Sequence, residues 1–290
     1  MKKVRYIWTI CNLLIFTNGI LSQTIIVNSI DDVNDGVCNT VHCSLREAIM
    51  LANTYTQPNI SFEIKPATPM PWTILPKTNL PDIKNENSNF QFSIIDTYGS
   101  SIAISGELLP GKVTGSDFGL QVDTKGKVDI KKLVFKNFST GLILKRVDTL
   151  IIGGGIMPGL AETGNDFLLN QTDVLLDGSY SLCLFLGNCF GSDRLLTEGV
   201  GFGEIGIKSN TSNSNSGKLI IGNNDISNLQ CNWFSGHKDA GLKLNGLRNV
   251  EITGNFFDTD RSSSPLRPES IKNIQLIDCE QVLIKENYLG

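Results

Sequence analysis

"GNCFGSD", residues 187 to 193, is answered 67 residues later by "GNFFDTD", residues 254 to 260. The echo extends outward. "LIIG" stands at 150 to 153 and again at 219 to 222, a step of 69. Asn165 leads Asn188 by 23 residues, and Asn232 leads Asn255 by the same 23. Asn287, in "IKENYLG", lies 32 beyond Asn255, as expected of one coil carrying a longer loop. Between these asparagines the chain alternates apolar and polar residues with a period of two, as at Leu242 and Leu244 or Val250 and Ile252. Helical periodicity is almost absent.

A repeated step near 23, with a polar residue beside each short strand, fits one turn of a solenoid in which every coil buries an apolar row and stacks on the last. The expected fold is all-β: a right-handed, single-stranded parallel β-helix. A β-sandwich with Asn-rich turns gives no reason for the long superperiod. Asn165, Asn188, Asn232, Asn255 and Asn287 are the expected corner positions. Asparagine tolerates the left-handed conformation, and stacked Asn side chains can bond along the axis as a ladder. The last unit stops at "ENYLG", where earlier units run on into an acidic turn, so the repeat is expected to continue past Gly290.

Upstream, "CNTVHCSLREAIMLAN" (38 to 53) is crowded with reactive side chains but reads as architecture. Ser44 lies three residues before Glu47, the spacing of a capping box. Leu45, Ala48, Ile49 and Ala52 fall on one helical face. A short amphipathic helix from Ser44 to about Asn53 is expected to seal the first coil. Cys38 and Cys43 bracket a loop before it and can bridge in an oxidising compartment. His42, between them, is expected to be exposed.

The chain begins with Lys2, Lys3 and Arg5, then an apolar run to Phe16 and small residues, the pattern of a secretory signal over residues 1–22. That run is too short for a comfortable membrane span, and no other segment approaches one. The organisation expected is a signal at 1–22, a cap and first coils at 23–127, and a repeat region at 128–290. Removing the signal leaves 25 − 3 = 22 basic against 29 acidic residues, a net charge near −7. An acidic protein is a poor partner for phosphate backbones, which argues against nucleic acid. With only His42 and His237 and no Cys-x-x-Cys with matching histidines, a closed zinc site is not expected.

β-Helices also carry polysaccharide-active enzymes, and hydrolysis requires two carboxylates facing one cleft. Asp193, Asp258 and Asp260 are the candidates, with Asp96 as an outlier and Arg194 or Arg261 as charge stabilisers. "GSDR" and "DTDR" also read as exposed turns, where Asp is common and Arg balances it. His237, in "SGHKDAG", reads as part of a polar loop. Asp31, Asp32 and Asp35 in "DDVNDG" have the composition of a calcium loop without EF-hand spacing, leaving weak calcium binding as the alternative to a bare turn. No other cofactor is expected.

The segment from "TIIVNS" through "DDVNDGVC" to "CSLREAI" resembles the motif that gives the CSLREA domain its name. "ISFEI", "ILPKTNLPDI", "SIIDTYGS" and the "IIGG" units are similar too, so the resemblance runs from about Thr24 to Gly290. It implies an exported or cell-surface β-helix, often adhesin-like and of pectin-lyase-like fold, whose first segment caps the open end. It implies no catalytic residues. The expectation is a secreted or surface module with a structural, adhesive or glycan-binding role, its partner an extracellular polysaccharide or a host or cell surface. A polysaccharide lyase or glycoside hydrolase is the alternative.

Overall fold

In a computed structural model of the chain, the described residues are 22–64, 72–97, 102–107, 117–154, 163–192, 203–210, 217–223, 230–258 and 272–289. They form a parallel β-solenoid with one helix. The expected signal at 1–22 lies almost wholly outside the described residues, as do Asp193, Arg194, Asp260 and Arg261.

Each full coil contributes a strand to each of three faces. The first face stacks Ile83–Asn85, Phe118–Thr124, the opening half of Thr140–Gly153, the opening half of Thr172–Leu186, then Ile205–Ser209, Ala240–Asn245 and Lys272–Ile277. The second begins with Gln23–Val27 and Pro58–Phe62 and ends with Arg248–Thr253 and Glu280–Lys285. The third runs from Trp72–Ile74 to Tyr288–Leu289. The two long strands serve both of the first two faces by bending, with a register shift between Leu144 and Arg146. Across residue 127 the first coils join the repeat region by strand pairing: Lys127–Lys131 pairs with Gln91–Ile95 on one side and Thr149–Ile152 on the other.

Alternation puts one row of each strand inside. Leu142, Leu144, Leu150 and Ile152 are fully buried, as are their counterparts Val174, Cys183 and Phe185 in the next coil. Along the third face the interior is a column of stacked rings, Phe135, Phe167, Phe190, Phe234 and Phe257, with centroids 4.6 to 5.1 Å apart. That spacing follows from the ~4.8 Å separation of paired strands.

At the corner between the second and third faces runs the asparagine ladder. Asn165 Nδ2 donates to Asn188 Oδ1 at 3.1 Å, Asn188 Nδ2 to Asn232 Oδ1 at 3.0 Å, Asn232 Nδ2 to Asn255 Oδ1 at 2.9 Å, and Asn255 Nδ2 to Asn287 Oδ1 at 2.9 Å. Each Oδ1 also accepts the backbone N–H of the preceding ladder residue. None of these five asparagines has a positive φ. The left-handed seat is one residue earlier, at Gly187, Gly254 and Glu286. The ladder, not left-handed tolerance, explains asparagine here. The 67-residue superperiod resolves into two coils, one of 44 residues from Asn188 to Asn232 and one of 23 from Asn232 to Asn255.

Candidate functional site

The helix Leu45–Ala52 starts as its sequence dictates. Ser44 is the N-cap, its hydroxyl accepts the Glu47 N–H, and Glu47 Oε2 accepts the Ser44 N–H at 2.9 Å. Leu45, Ala48, Ile49 and Ala52 are fully buried in one core with Ile25, Val27, Ile60 and Phe62 of the first two strands. Cys38 and Cys43 are disulfide-bonded. Cys183, Cys189 and Cys231 are buried and Cys279 is half-buried; burial pushes the Cys183 thiol well up, so it does not supply a thiolate. Loop-closure entropy gives the short Cys38–Cys43 ring about 2 kcal/mol. The double variant Cys38→Ser/Cys43→Ser is therefore expected to fold with its urea midpoint lowered accordingly and its m-value unchanged.

Around the cap lie the side chains that sequence reasoning left unpartnered. Arg46 forks onto Asp32 with Nε and Nη2 at 2.9 and 2.8 Å, and also donates to the Thr78 and Asn79 carbonyls. It ties the cap loop, the helix and the 77–79 segment together. Asp32 accepts the Lys77 N–H as well, so this member of the acidic turn is committed and buried. His42 is not the free surface residue expected. Its Nε2 is 3.0 Å from Asp31 Oδ1, and its Nδ1 is 3.3 Å from Glu47 Oε2 and 3.8 Å from Asp35 Oδ2. The hydrogen bond to Asp31 holds the imidazole pKa above its ordinary value, helped by the neighbouring carboxylates and against some desolvation. Burial pushes the Asp31 carboxyl up, but the Val33 N–H, the Ser29 hydroxyl and His42 outweigh it and hold it below the usual range. A cleft of about 210 Å³ between Gly36, Cys38 and Met50 opens onto Glu47, and a second of about 450 Å³ runs along Gln23–Ile26.

The second constellation is interior. His237 Nε2 lies 2.9 Å from Asp173 Oδ2, and both side chains are essentially without solvent contact, at 0% and 1% exposure. Asn170 Nδ2 donates to the other Asp173 oxygen at 3.0 Å. Burial pushes the Asp173 carboxyl up, against the pull of His237 and Asn170. Glycine makes room for the ring: a Cβ on Gly191, whose φ is +79°, would stand 3.0 Å from His237 Cε1 and 2.0 Å from the Ser235 carbonyl oxygen. His237 sits in the loop between Trp233–Phe234 and Ala240–Asn245, as expected, but is buried there and ties that loop to the Asp173 coil. With no access for a substrate, the pair has the composition of a catalytic dyad without its exposure.

Comparison of the chain with protein-family models, with curated proteins and with solved structures finds no significant match.

Of the acidic candidates, the two that fall among the described residues, Asp96 and Asp258, do not converge. Asp258 is buried, has φ +52°, and accepts the Gly236 N–H at 3.2 Å, so it is a corner residue and not an exposed turn carboxylate. Asp96 is also buried, just after the Gln91–Ile95 strand. Five strand-to-strand steps separate that strand from Arg248–Thr253, the strand of the Asp258 coil. At ~4.8 Å per step they are about 24 Å apart along the axis, far beyond the ~5 to 9.5 Å of a glycosidase pair. Outer-face charges instead pair from coil to coil. Lys145 meets Asp177, Arg146 meets Glu86 and Asp123, Lys218 meets Glu251, and Arg248 meets Glu280. Lys145 holds the Asp177 carboxyl below its usual range, and Arg146 does the same for Glu86. No helix among the described residues is long and apolar enough to cross a membrane.

Proposed function

We propose that this chain is an exported β-solenoid module, closed at its N-terminal end by a CSLREA-type cap, that serves as a non-catalytic structural or adhesive scaffold toward extracellular polysaccharide or a cell surface. The observation that carries this reading is the commitment of outer-face carboxylates to axis-directed ion pairs with the neighbouring coil. Charges arranged this way neutralise one another along the stack and repeat a polar pattern from one described coil to the next. Such a surface suits repeated weak contacts with a polymer. The capping box, the Arg46–Asp32 fork and the Cys38–Cys43 bridge support the cap assignment, and the bridge suits an oxidising compartment.

The test is incubation of the purified chain with a panel of neutral and acidic polysaccharides, read both as pull-down and as release of reducing or unsaturated ends. Retention on one or more polymers with no product above a heat-treated control is expected. Saturable turnover on any of them would overturn the scaffold reading in favour of a lyase or glycoside hydrolase. Absence of both binding and turnover would remove polysaccharide as the partner.

A further inference from the structure

We propose that Asp35, His42 and Glu47 form a binding site for one divalent transition-metal ion, with zinc as the probe, and that Asp31 orients the imidazole from behind. The three residues each offer a ligand atom, all within 4.8 Å of one another. His42 Nδ1 stands 3.3 Å from Glu47 Oε2 and 3.8 Å from Asp35 Oδ2. A tetrahedral ion with ligand bonds of about 2.0 to 2.2 Å sets its donors about 3.3 to 3.6 Å apart; the His42–Glu47 pair already stands at that distance, and Asp35 has to close in on both.

The decisive feature is the imidazole. Nδ1 is shut off from solvent and makes no hydrogen bond, although it lies within ion-pair distance of two carboxylates. Its orientation fails the hydrogen-bond geometry that the distance to Glu47 would allow. The opposite nitrogen is occupied by Asp31 at 3.0 Å. A carboxylate on one ring nitrogen, with the other aimed at further ligands, is the order found around metal-bound histidines, where the outer carboxylate fixes the tautomer and raises ligand basicity.

The remaining ligands are held in advance. Glu47 is only 3% exposed; its Oε2 accepts the Ser44 N–H and its Oε1 accepts the Asp35 N–H at 2.8 Å. The Asp35 loop is thereby fastened to the first turn of the helix before any ion arrives. Asp35 Oδ1 accepts the Val37 N–H, leaving Oδ2 to face the imidazole. One nitrogen and two carboxylates suit zinc or a neighbouring first-row ion better than calcium or magnesium, which favour all-oxygen shells. Asp35 is about half exposed, so an ion can reach the cluster from the solvent side of its loop. A bound ion would link loop and helix as a second staple beside the disulfide.

The experiment titrates zinc into the untagged, chelator-stripped protein by calorimetry and follows thermal unfolding with and without the metal. One saturable site and a rise in Tm are expected. Asp35→Asn keeps the Val37 acceptor and should weaken zinc at least tenfold, since the loss of an outer-shell partner alone costs ~10- to 100-fold. His42→Gln should abolish both the uptake and the Tm rise. Apo Tm should remain near wild type in Asp35→Asn, which keeps the test valid if the histidine variant folds poorly. No saturable uptake by the wild type would overturn the proposal. So would uptake unchanged in Asp35→Asn, uptake lost only in Cys279→Ser, or calcium binding as tight as zinc.

Discussion

Replacement of Leu45 by aspartate is expected to leave no soluble, folded protein. Leu45 is the first residue of the only helix among the described residues and is wholly buried, in one core with Ile25, Val27, Ile60 and Phe62. Truncating such a side chain costs about 2 to 5 kcal/mol. Aspartate adds the burial of a carboxylate with no partner, a further several kcal/mol. Against a total stability of about 5 to 15 kcal/mol the two losses together approach the whole. Without the cap the first coil would also present an unpaired strand edge and a bare apolar end, a template for aggregation. The measurement is the soluble fraction on expression and refolding, followed by far-UV circular dichroism. Leu45→Met, which conserves volume, should fold with a loss below about 1.5 kcal/mol. A soluble Leu45→Asp variant with wild-type Tm would show that the helix does not seal the solenoid.

The cap was legible because its determinants are local. A capping box spans four residues and an apolar helical face eight, and both are set by backbone geometry before any tertiary contact forms. The asparagine ladder was legible for a different reason: each coil presents the same residue to the same neighbour, so one structural rule is written five times. What escaped was chemistry made by distant pairs used once. Asp173 and His237 are 64 residues apart, and in sequence one sits in an unremarkable polar stretch and the other in "SGHKDAG". The available hint was glycine: Gly191 and Gly206 each lack the Cβ that would crowd the His237 ring. Asp32 and Arg46, and Asp31 and His42, meet because the loop before the helix folds back on it, a path that no periodicity encodes. The acidic turns misled in the opposite direction. Asp258 looks like a surface turn residue because Asp is common there, yet its positive φ and the Gly236 N–H draw it into a corner.

The ladder also makes the second large prediction. Asn232→Leu should cost about 3 to 5 kcal/mol, while Asn287→Leu should cost no more than about 1 to 2 kcal/mol, since each buried polar group left without a partner costs ~1 to 3 kcal/mol. Asn232 is fully buried, and every polar atom of its side chain is used. Its Oδ1 accepts from the Asn188 N–H and Nδ2 at 2.9 and 3.0 Å, and its Nδ2 donates to Asn255 Oδ1 and to the Phe185 carbonyl, both at 2.9 Å. Leucine matches the size but strands two donors of Asn188 and the Phe185 carbonyl, and it interrupts a chain in which each amide polarises the next. Asn287 accepts from Asn255 and donates to the Ile252 carbonyl at 2.8 Å, but in the 290-residue chain, the one to be tested, it is partly open to water, which can take up what leucine releases. Asn232→Asp should be worse than leucine: the new oxygen would face Asn255 Oδ1 and the Phe185 carbonyl, acceptor against acceptor, with a buried charge between them. Urea unfolding of the three variants orders them. Equal costs at 232 and 287, or an Asn232→Leu loss below about 1 kcal/mol, would mean that the coils are held by strand pairing and the phenylalanine column alone, with the ladder contributing register and little stability.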